Sequence, residues 1–167
     1  MASTPKEPSD GQTDADAAGN RLEGAQLAVL AQFIKDLSFE SPNAPQVLQG
    51  PGENPQLQVN VNVQATKRAE EAYQVDLQFE AQAKSDDGVI YNIEIVYSGM
   101  FRLTNIPEDL LQAVLFVDCP TILFPFLRRI VADLTQDGGF PPLLMDPMDF
   151  AALYRQNAGQ VTEQAAH

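Results

Sequence analysis

Three long stretches of the chain alternate apolar and polar residues with a period of two, which is typical of β-strands that bury one face. They run from Leu57 to Ala65, from Tyr73 to Ala83 and from Val89 to Phe101. A weaker stretch covers Leu27 to Glu40. The pair Asp87-Gly88 favours a tight hairpin turn, because such turns need positive φ angles. The pattern predicts an antiparallel sheet of four long strands.

Beyond Phe101 the apolar residues recur at helical spacing. Pro107-Glu108-Asp109 opens a predicted helix that runs to about Val117, because proline suits a first turn and acids there face the positive end of the helix dipole. Pro120 opens a second helix, which Gly138-Gly139 ends. A short last helix is predicted from about Met148 to Arg155. Strands followed by two to three helices indicate an α+β domain.

Both ends of the chain differ in composition from this middle part. Residues 1–26 contain Ser, Thr, Pro, Asp, Gly and Ala with few large apolar side chains. Such a segment buries too little surface to offset the entropy of ordering it. We therefore expect a disordered acidic N-terminal tail (1–26), one folded domain (27–156) and a disordered C-terminal tail (157–167).

Charge and cysteine content narrow the class of protein. Ten Lys and Arg against 23 Asp and Glu give a net charge of −13, which disfavours nucleic-acid binding and favours partners with basic surfaces. No apolar run approaches the ~20 residues of a membrane span, so no membrane insertion is expected. The N-terminus lacks the features of a signal peptide, and the single cysteine, Cys119, suits a reducing cytoplasm.

The sequence offers little catalytic chemistry. The only histidine is His167, at the end of the predicted C-terminal tail, and no glycine-rich phosphate loop occurs. Twenty-three acids leave room for a carboxylate pair, but nothing singles out two of them. We therefore predict a protein that is not an enzyme, with no catalytic residue, no cofactor and no metal site.

The polar positions of the predicted strands form one face of the sheet. On the first strand Phe33, Leu37 and Phe39 are expected on the apolar side, and Lys84 is the one base expected on the polar side. The acids expected on that polar side are Asp36, Glu40, Asp76, Glu80 and Glu94. An ordinary solvated face is one reading. Such faces usually mix both signs, since neighbouring like charges repel, so we favour a docking surface for a basic partner.

Several large apolar residues fall outside the predicted core. They are Val47, Leu48, Phe116, Phe124, Phe140, Leu143, Leu144 and Met145. One sheet with a few helices would struggle to cover them all. The surplus indicates either oligomerisation or an apolar binding groove.

Several motifs, in order, resemble the SecB family of protein-export chaperones from about Val29 to Gln156. They are Lys35-Asp-Leu-Ser-Phe-Glu-Ser-Pro-Asn-Ala-Pro45, Ser98-Gly-Met-Phe101, Cys119-Pro-Thr-Ile-Leu-Phe-Pro-Phe-Leu-Arg128, Gly139-Phe-Pro-Pro-Leu-Leu144 and Asp149-Phe-Ala-Ala-Leu-Tyr154. The resemblance implies a homotetramer built as a dimer of dimers. It also implies binding of unfolded secretory preproteins and their delivery to the translocation motor SecA.

The resemblance places Asp36, Glu40 and Glu94 on the face where SecA docks, and periodicity adds Asp76 and Glu80. For the groove that binds unfolded clients, the candidates are Val47, Leu48, Phe126, Phe140, Leu143, Leu144 and Met145. No nucleotide is expected to drive release of the client.

Two rival functions remain open from the sequence. A SecB-like chaperone can instead protect the antitoxin of a toxin–antitoxin system, which the residues do not distinguish from protein export. A small-molecule binder or enzyme could use the curved sheet as a cup, and would bind one defined ligand at one pocket.

Overall fold

The computed structural model describes residues 22–165, with the backbone alone for 158–165. Four strands form one antiparallel sheet in the order β1-β4-β3-β2. Their bounds are β1 Gln26–Glu40, β2 Gln56–Ala69, β3 Ala72–Ser85 and β4 Gly88–Thr104. The predicted α+β class with four long antiparallel strands is confirmed. β2, β3 and β4 form a meander, and β1 pairs with the free edge of β4.

The two hairpins of the meander have turns that need positive φ. Glu71, between β2 and β3, adopts φ 59°, and Gly88, at the start of β4, adopts φ 125°. Glycine adopts this conformation at little steric cost, which explains the Asp87-Gly88 signal. The β1–β2 connection instead runs through a short 3₁₀ turn, Gln46–Gln49.

β1 is irregular, and its side chains do not keep one phase. Its register with β4 shifts between Val29 and Ala31 and again between Ile34 and Asp36. Each β-bulge inserts an extra residue, so the alternation of faces changes. Phe33 therefore pairs with Ser98 on the polar face, and the prediction that it shares a face with Leu37 is wrong.

The predicted break between the first two helices is also wrong. α1 (Glu108–Ala113) passes through a π-helical turn (Val114–Asp118) directly into α2 (Cys119–Asp137). In that turn the Cys119 N–H donates to the carbonyl of Val114, five residues earlier. Pro120 has no N–H to donate, and the wider turn lets the chain remain helical there. α2 also continues through Pro125.

The last helix, α3, runs from Phe150 to Ala165, ten residues beyond the predicted end at Arg155. The segment from Asn157, expected to be disordered, is thus helical through Ala165. Alanine, glutamine and glutamate extend a helix readily once it has started, which the polar composition concealed. Of the predicted N-terminal tail, residues 1–21 lie outside the described part; Leu22–Gly24 form a turn before β1.

The core lies between α2 and one face of the sheet, here called the inner face. α2 buries a stripe of residues at spacings of four, and the central strands supply the large side chains opposite. The stripe is Leu123, Leu127, Val131 and Thr135, against Leu77, Phe79, Ile95 and Phe101. β1 and β2 flank this core, and their inner faces are only partly covered.

The helical stretch Glu108–Asp137 is long and apolar enough to cross a membrane by length and composition, contrary to our expectation that no segment would be. The core helix of a soluble protein passes the same criterion. One side of this stretch packs on the sheet, where Leu115, Leu123 and Leu127 are buried. Only 33% of its most apolar window is buried, so much of its apolar surface stays open in the isolated chain.

Candidate functional site

The face of the sheet opposite α2, here called the outer face, carries four exposed acids. They define the acidic surface: Asp36, Glu40, Glu80 and Glu94. β3 and β4 place Glu80 directly opposite Glu94, and β1 places Ser38 on the other side of Glu94. Asp36 pairs with Val96, the next position along this face.

Repulsion within the acidic surface is not compensated locally. Opposed glutamates such as Glu80 and Glu94 destabilise a sheet, because their Cβ atoms lie about 5 Å apart and their like charges repel each other. Among the described residues, no ion pair involves any of the four acids. The acids line two shallow, open depressions, together with amide side chains such as Asn92 and Gln78. This surface therefore attracts cationic groups.

Asp76 lies on the same face but differs from the other predicted acids, because it is buried, with only 6% of the residue exposed. Its Oδ1 accepts hydrogen bonds from Gln74 Nε2 at 2.7 Å and Ser98 Oγ at 2.6 Å. Its Oδ2 lies 3.5 Å from Lys35 Nζ. Burial alone would raise the pKa of this carboxyl, but the two hydrogen bonds and the Lys35 ammonium hold that pKa below its ordinary value.

Two bases on the outer face, Lys35 and Arg68, contact its buried polar residues and were not among the predicted residues of this face. Lys35 is the extra residue of the second β1 bulge, and Arg68 is the extra residue of a bulge in β2 between Lys67 and Ala69. Arg68 Nε donates to Gln74 Oε1 at 3.0 Å. The β1 bulge leaves no mark in the alternation until the partner strand is known, and Arg68 lies beyond Ala65, where the predicted strand ended, so periodicity assigned only Lys84 to this face.

One group of apolar candidates lies at the end of the sheet where β1 ends and β4 begins. Phe140, just after α2, has its ring centroid 5.1 Å from that of Tyr91 and 6.3 Å from that of Phe39. Leu48, in the 3₁₀ turn, lies over Gly139, where an added Cβ would approach it to 2.9 Å. Val47 is half-buried beside it. These residues form an apolar ledge with aromatic walls.

The candidates after Phe140 follow the edge of this ledge. Leu143 and Met145 are half-buried against the core, whereas Leu144 is 73% exposed. The Leu143 N–H donates to Thr135 Oγ1 of α2 at 2.9 Å. One hydroxyl of the core thus helps to hold the segment that presents Leu144 to solvent.

Phe126 lies elsewhere, on the side of α2 above β1. It is 46% exposed, and its ring stacks on Tyr97 with a centroid distance of 6.3 Å. The Tyr97 hydroxyl donates to Gln32 on β1 at 3.0 Å. Next to this contact, Ile34 and Leu37 of β1 are also exposed. The predicted groove residues therefore fall into two groups, and the exposed β1 residues were not among them.

The part of the chain that the structure describes holds no metal-binding cluster and no reactive cysteine. No group of three or more His, Cys, Asp or Glu side chains is placed to hold a metal ion within the described residues. Cys119 is fully buried, and burial together with the nearby Asp118 raises the pKa of its thiol to about 12. Such a thiol is a poor nucleophile, because the thiolate is the reactive form.

The chain is similar to known proteins over most of its length. The model of the family "Preprotein translocase subunit SecB" matches residues 20–161. The chain is 52% identical over 132 residues to the protein-export protein SecB of a Bradyrhizobium species, covering 79% of this chain and 82% of that protein. It is 45% identical over 152 residues to the Mesorhizobium japonicum protein of the same name, covering 90% of each.

A solved structure shows the same fold. It is the SecB-like chaperone of Mycobacterium tuberculosis in complex with a peptide from an antitoxin, with a TM-score of 0.63 and 16% identity, covering 80% of this chain and 97% of that one. At this identity the likeness concerns the fold alone. Taken together, the matches define a protein-export chaperone. The chain belongs to the SecB family. The export function is better supported than the antitoxin alternative, because the relatives at 45–52% identity are named for export.

Proposed function

We propose that this chaperone holds unfolded preproteins on its apolar surface in the cytoplasm and delivers them to SecA through the acidic surface. The observation that carries the proposal is the separation of the two surfaces. The acidic surface lies on the outer face of the sheet, whereas the apolar ledge and Phe126 lie on the side of the helices. A client and a motor protein can therefore bind at the same time.

The apolar ledge suits many unrelated clients. Apolar contact is non-directional and roughly proportional to buried area, so it needs no fixed sequence in the partner. The partly exposed rings of Phe39 and Phe140, which pack on the buried Tyr91, add aromatic contact area, and the exposed Leu144 extends it. We assign client binding to Val47, Leu48, Phe140, Leu143, Leu144 and Met145, with Phe126 as a second contact region.

The acidic surface suits a basic segment of SecA. Four carboxylates on one open face provide long-range attraction and, at contact, charge complementarity. Asp36, Glu40, Glu80 and Glu94 are the direct contacts in this proposal. Asp76 is too buried for direct contact.

Assembly into a homotetramer, a dimer of dimers, would cover surface that the single chain leaves open. The inner face of β1 exposes Val29, Ile34 and Leu37 beside α2, whose apolar window is mostly unburied. A contiguous apolar area of this kind usually marks an interface in a water-soluble protein. Self-association through this area and client binding on the ledge use different residues, whereas Phe126 borders the self-association area.

The test combines a holding assay with a binding assay. The native chain should delay aggregation of a denatured preprotein, followed by light scattering, and should bind purified SecA in calorimetry. A chain that does neither contradicts the proposal.

The client site is tested with two exposed leucines in different parts of the fold. Leu144→Ser should weaken protection against aggregation by about threefold or more, since it removes one exposed apolar side chain from the ledge. Leu57→Ser, which changes a leucine on β2 that is 45% exposed against 73% for Leu144, is the control. Equal effects of the two variants would show that protection depends on general apolarity and not on the ledge.

A further inference from the structure

Two basic side chains at β-bulges reach from opposite edges of the sheet towards the group of polar residues around one buried acid. Lys35 comes from β1 and Arg68 from β2, and each is the extra residue of its bulge. Between them lie Gln74 and Asp76 on β3 and Ser98 on β4. A regular β1 would have placed Lys35 on the inner face with Leu37, so the bulge in β1 determines where Lys35 lies.

The contacts around Asp76 use both of its carboxylate oxygens. Ser98 and Gln74 donate to Oδ1, and Lys35 lies at Oδ2. Arg68 Nε in turn donates a hydrogen bond to Gln74 Oε1. None of the described buried side-chain polar atoms lacks a partner. A buried acid that is fully hydrogen-bonded and ion-paired holds its cation in a defined place.

Lys35 directly adjoins the acidic surface. Its neighbour in sequence is Asp36. Ser98, which shares Asp76 with Lys35, lies four residues from Glu94 along β4, a distance of about 13 Å at the rise of a strand. A lysine side chain is long and flexible and is half-exposed at this position. Without Asp76, its ammonium would be free to pair with Asp36 or to approach Glu94.

We propose that Asp76 is a positioning residue for the docking surface: it binds Lys35 and so keeps that ammonium from neutralising Asp36 and Glu94. The inference rests on the proposed docking of SecA on the acidic surface. It assigns the fifth predicted acid a part in docking that needs no contact with the partner.

A double-mutant cycle tests the proposal with SecA affinity as the readout. Asp76→Asn keeps the shape and the acceptor oxygen but removes the charge that binds Lys35. It should weaken SecA binding about two- to fivefold, the range of one exposed ion pair. In a Lys35→Gln background the same substitution should change affinity no more than Asp133→Asn, a single-charge control on the exposed side of α2. An equal loss of SecA affinity in both backgrounds would show that the effect comes from net charge alone, and would overturn the inference.

A second readout needs no SecA. The acylation rate of Lys35, measured by mass spectrometry against Lys84 as internal reference, should rise in Asp76→Asn because the ammonium is released. An unchanged rate overturns the inference. If the wild-type chain does not bind SecA, the docking proposal and the role of Asp76 in it fail together, and the Lys35 rate still decides whether Asp76 restrains the lysine.

Folding of the variants is checked by thermal unfolding at one fixed protomer concentration. If Asp76→Asn does not fold, Asp76→Val replaces it, because an apolar β-former of similar volume needs no partner at this position. The same two outcomes are expected of that variant. It should lose SecA affinity only when Lys35 is present, and its Lys35 should be acylated faster than in the wild-type chain.

Discussion

Replacing Thr135 by valine removes one hydroxyl from the centre of the fold and leaves the volume almost unchanged. Thr135 is fully buried on α2, and its Oγ1 donates to the carbonyl of Val131 at 2.9 Å. The same oxygen accepts the Leu143 N–H at 2.9 Å. In Thr135→Val this N–H loses its acceptor, while the hydrogen bond from the Phe140 N–H to the Thr135 carbonyl remains.

The cost follows from the surroundings of the lost bond. A neutral hydrogen bond contributes about 0.5–1.5 kcal/mol, and an unsatisfied buried donor costs about 1–3 kcal/mol. The Leu143 hydrogen bond is part-buried, so water can replace some of it. We expect a loss of about 1.5 kcal/mol in the free energy of unfolding, or about 4 °C in Tm for a domain of this size.

The measurement is urea unfolding at fixed protomer concentration, with hydrogen exchange of the Leu143 amide. Thr121→Val is the matched control on the same helix, since its hydroxyl is exposed and bonds only the Val117 carbonyl. The amide of Leu143 should exchange about tenfold faster in Thr135→Val, and protection of a denatured preprotein should weaken because Leu144 is held less firmly. Equal stability of the two variants would refute the assigned role of Thr135.

Three further outcomes are expected. Asp36→Lys combined with Glu94→Lys should weaken SecA binding about tenfold or more through lost attraction and added repulsion, while preprotein holding persists; equal loss of both activities would indicate misfolding. Cys119 should resist alkylation at pH 8 in the native chain and react in denaturant, because a pKa of about 12 leaves ~1 thiol in 10,000 ionised; equal rates would contradict its burial. Gly99→Ala should lower the free energy of unfolding by about 1–3 kcal/mol, since the added Cβ would lie 2.6 Å from the Phe101 ring, and an unchanged urea midpoint would show that the core adjusts.

Short-range patterns in the sequence determined the strands and most of the helices. A period of two needs only the chain itself, so the strands over Leu57–Ala65 and Tyr73–Ala83 lie within β2 and β3 as predicted. The positive φ of Gly88 and the helix end at Gly138 also follow from local stereochemistry. The acids Glu80 and Glu94 were placed on one face for the same reason.

Longer-range features required the partner strand or the packed neighbour. The bulge at Lys35 appears only when β1 is set against β4, and it reverses the face of Phe33. The helical continuity through Pro120 depends on the π-helical turn between α1 and α2. Propensity alone would have ended the helix there, because proline lacks the N–H.

The candidate site shows the same division. By itself the sequence determined that five acids share a strand phase and that apolar residues exceed what one sheet can cover. The tertiary structure decided that four acids are open and that Asp76 is buried against Lys35. It also decided that Phe140 and Leu48 meet at one ledge while Phe126 lies apart. Burial and ion pairing depend on residues distant in sequence, and only the folded sheet brings these together.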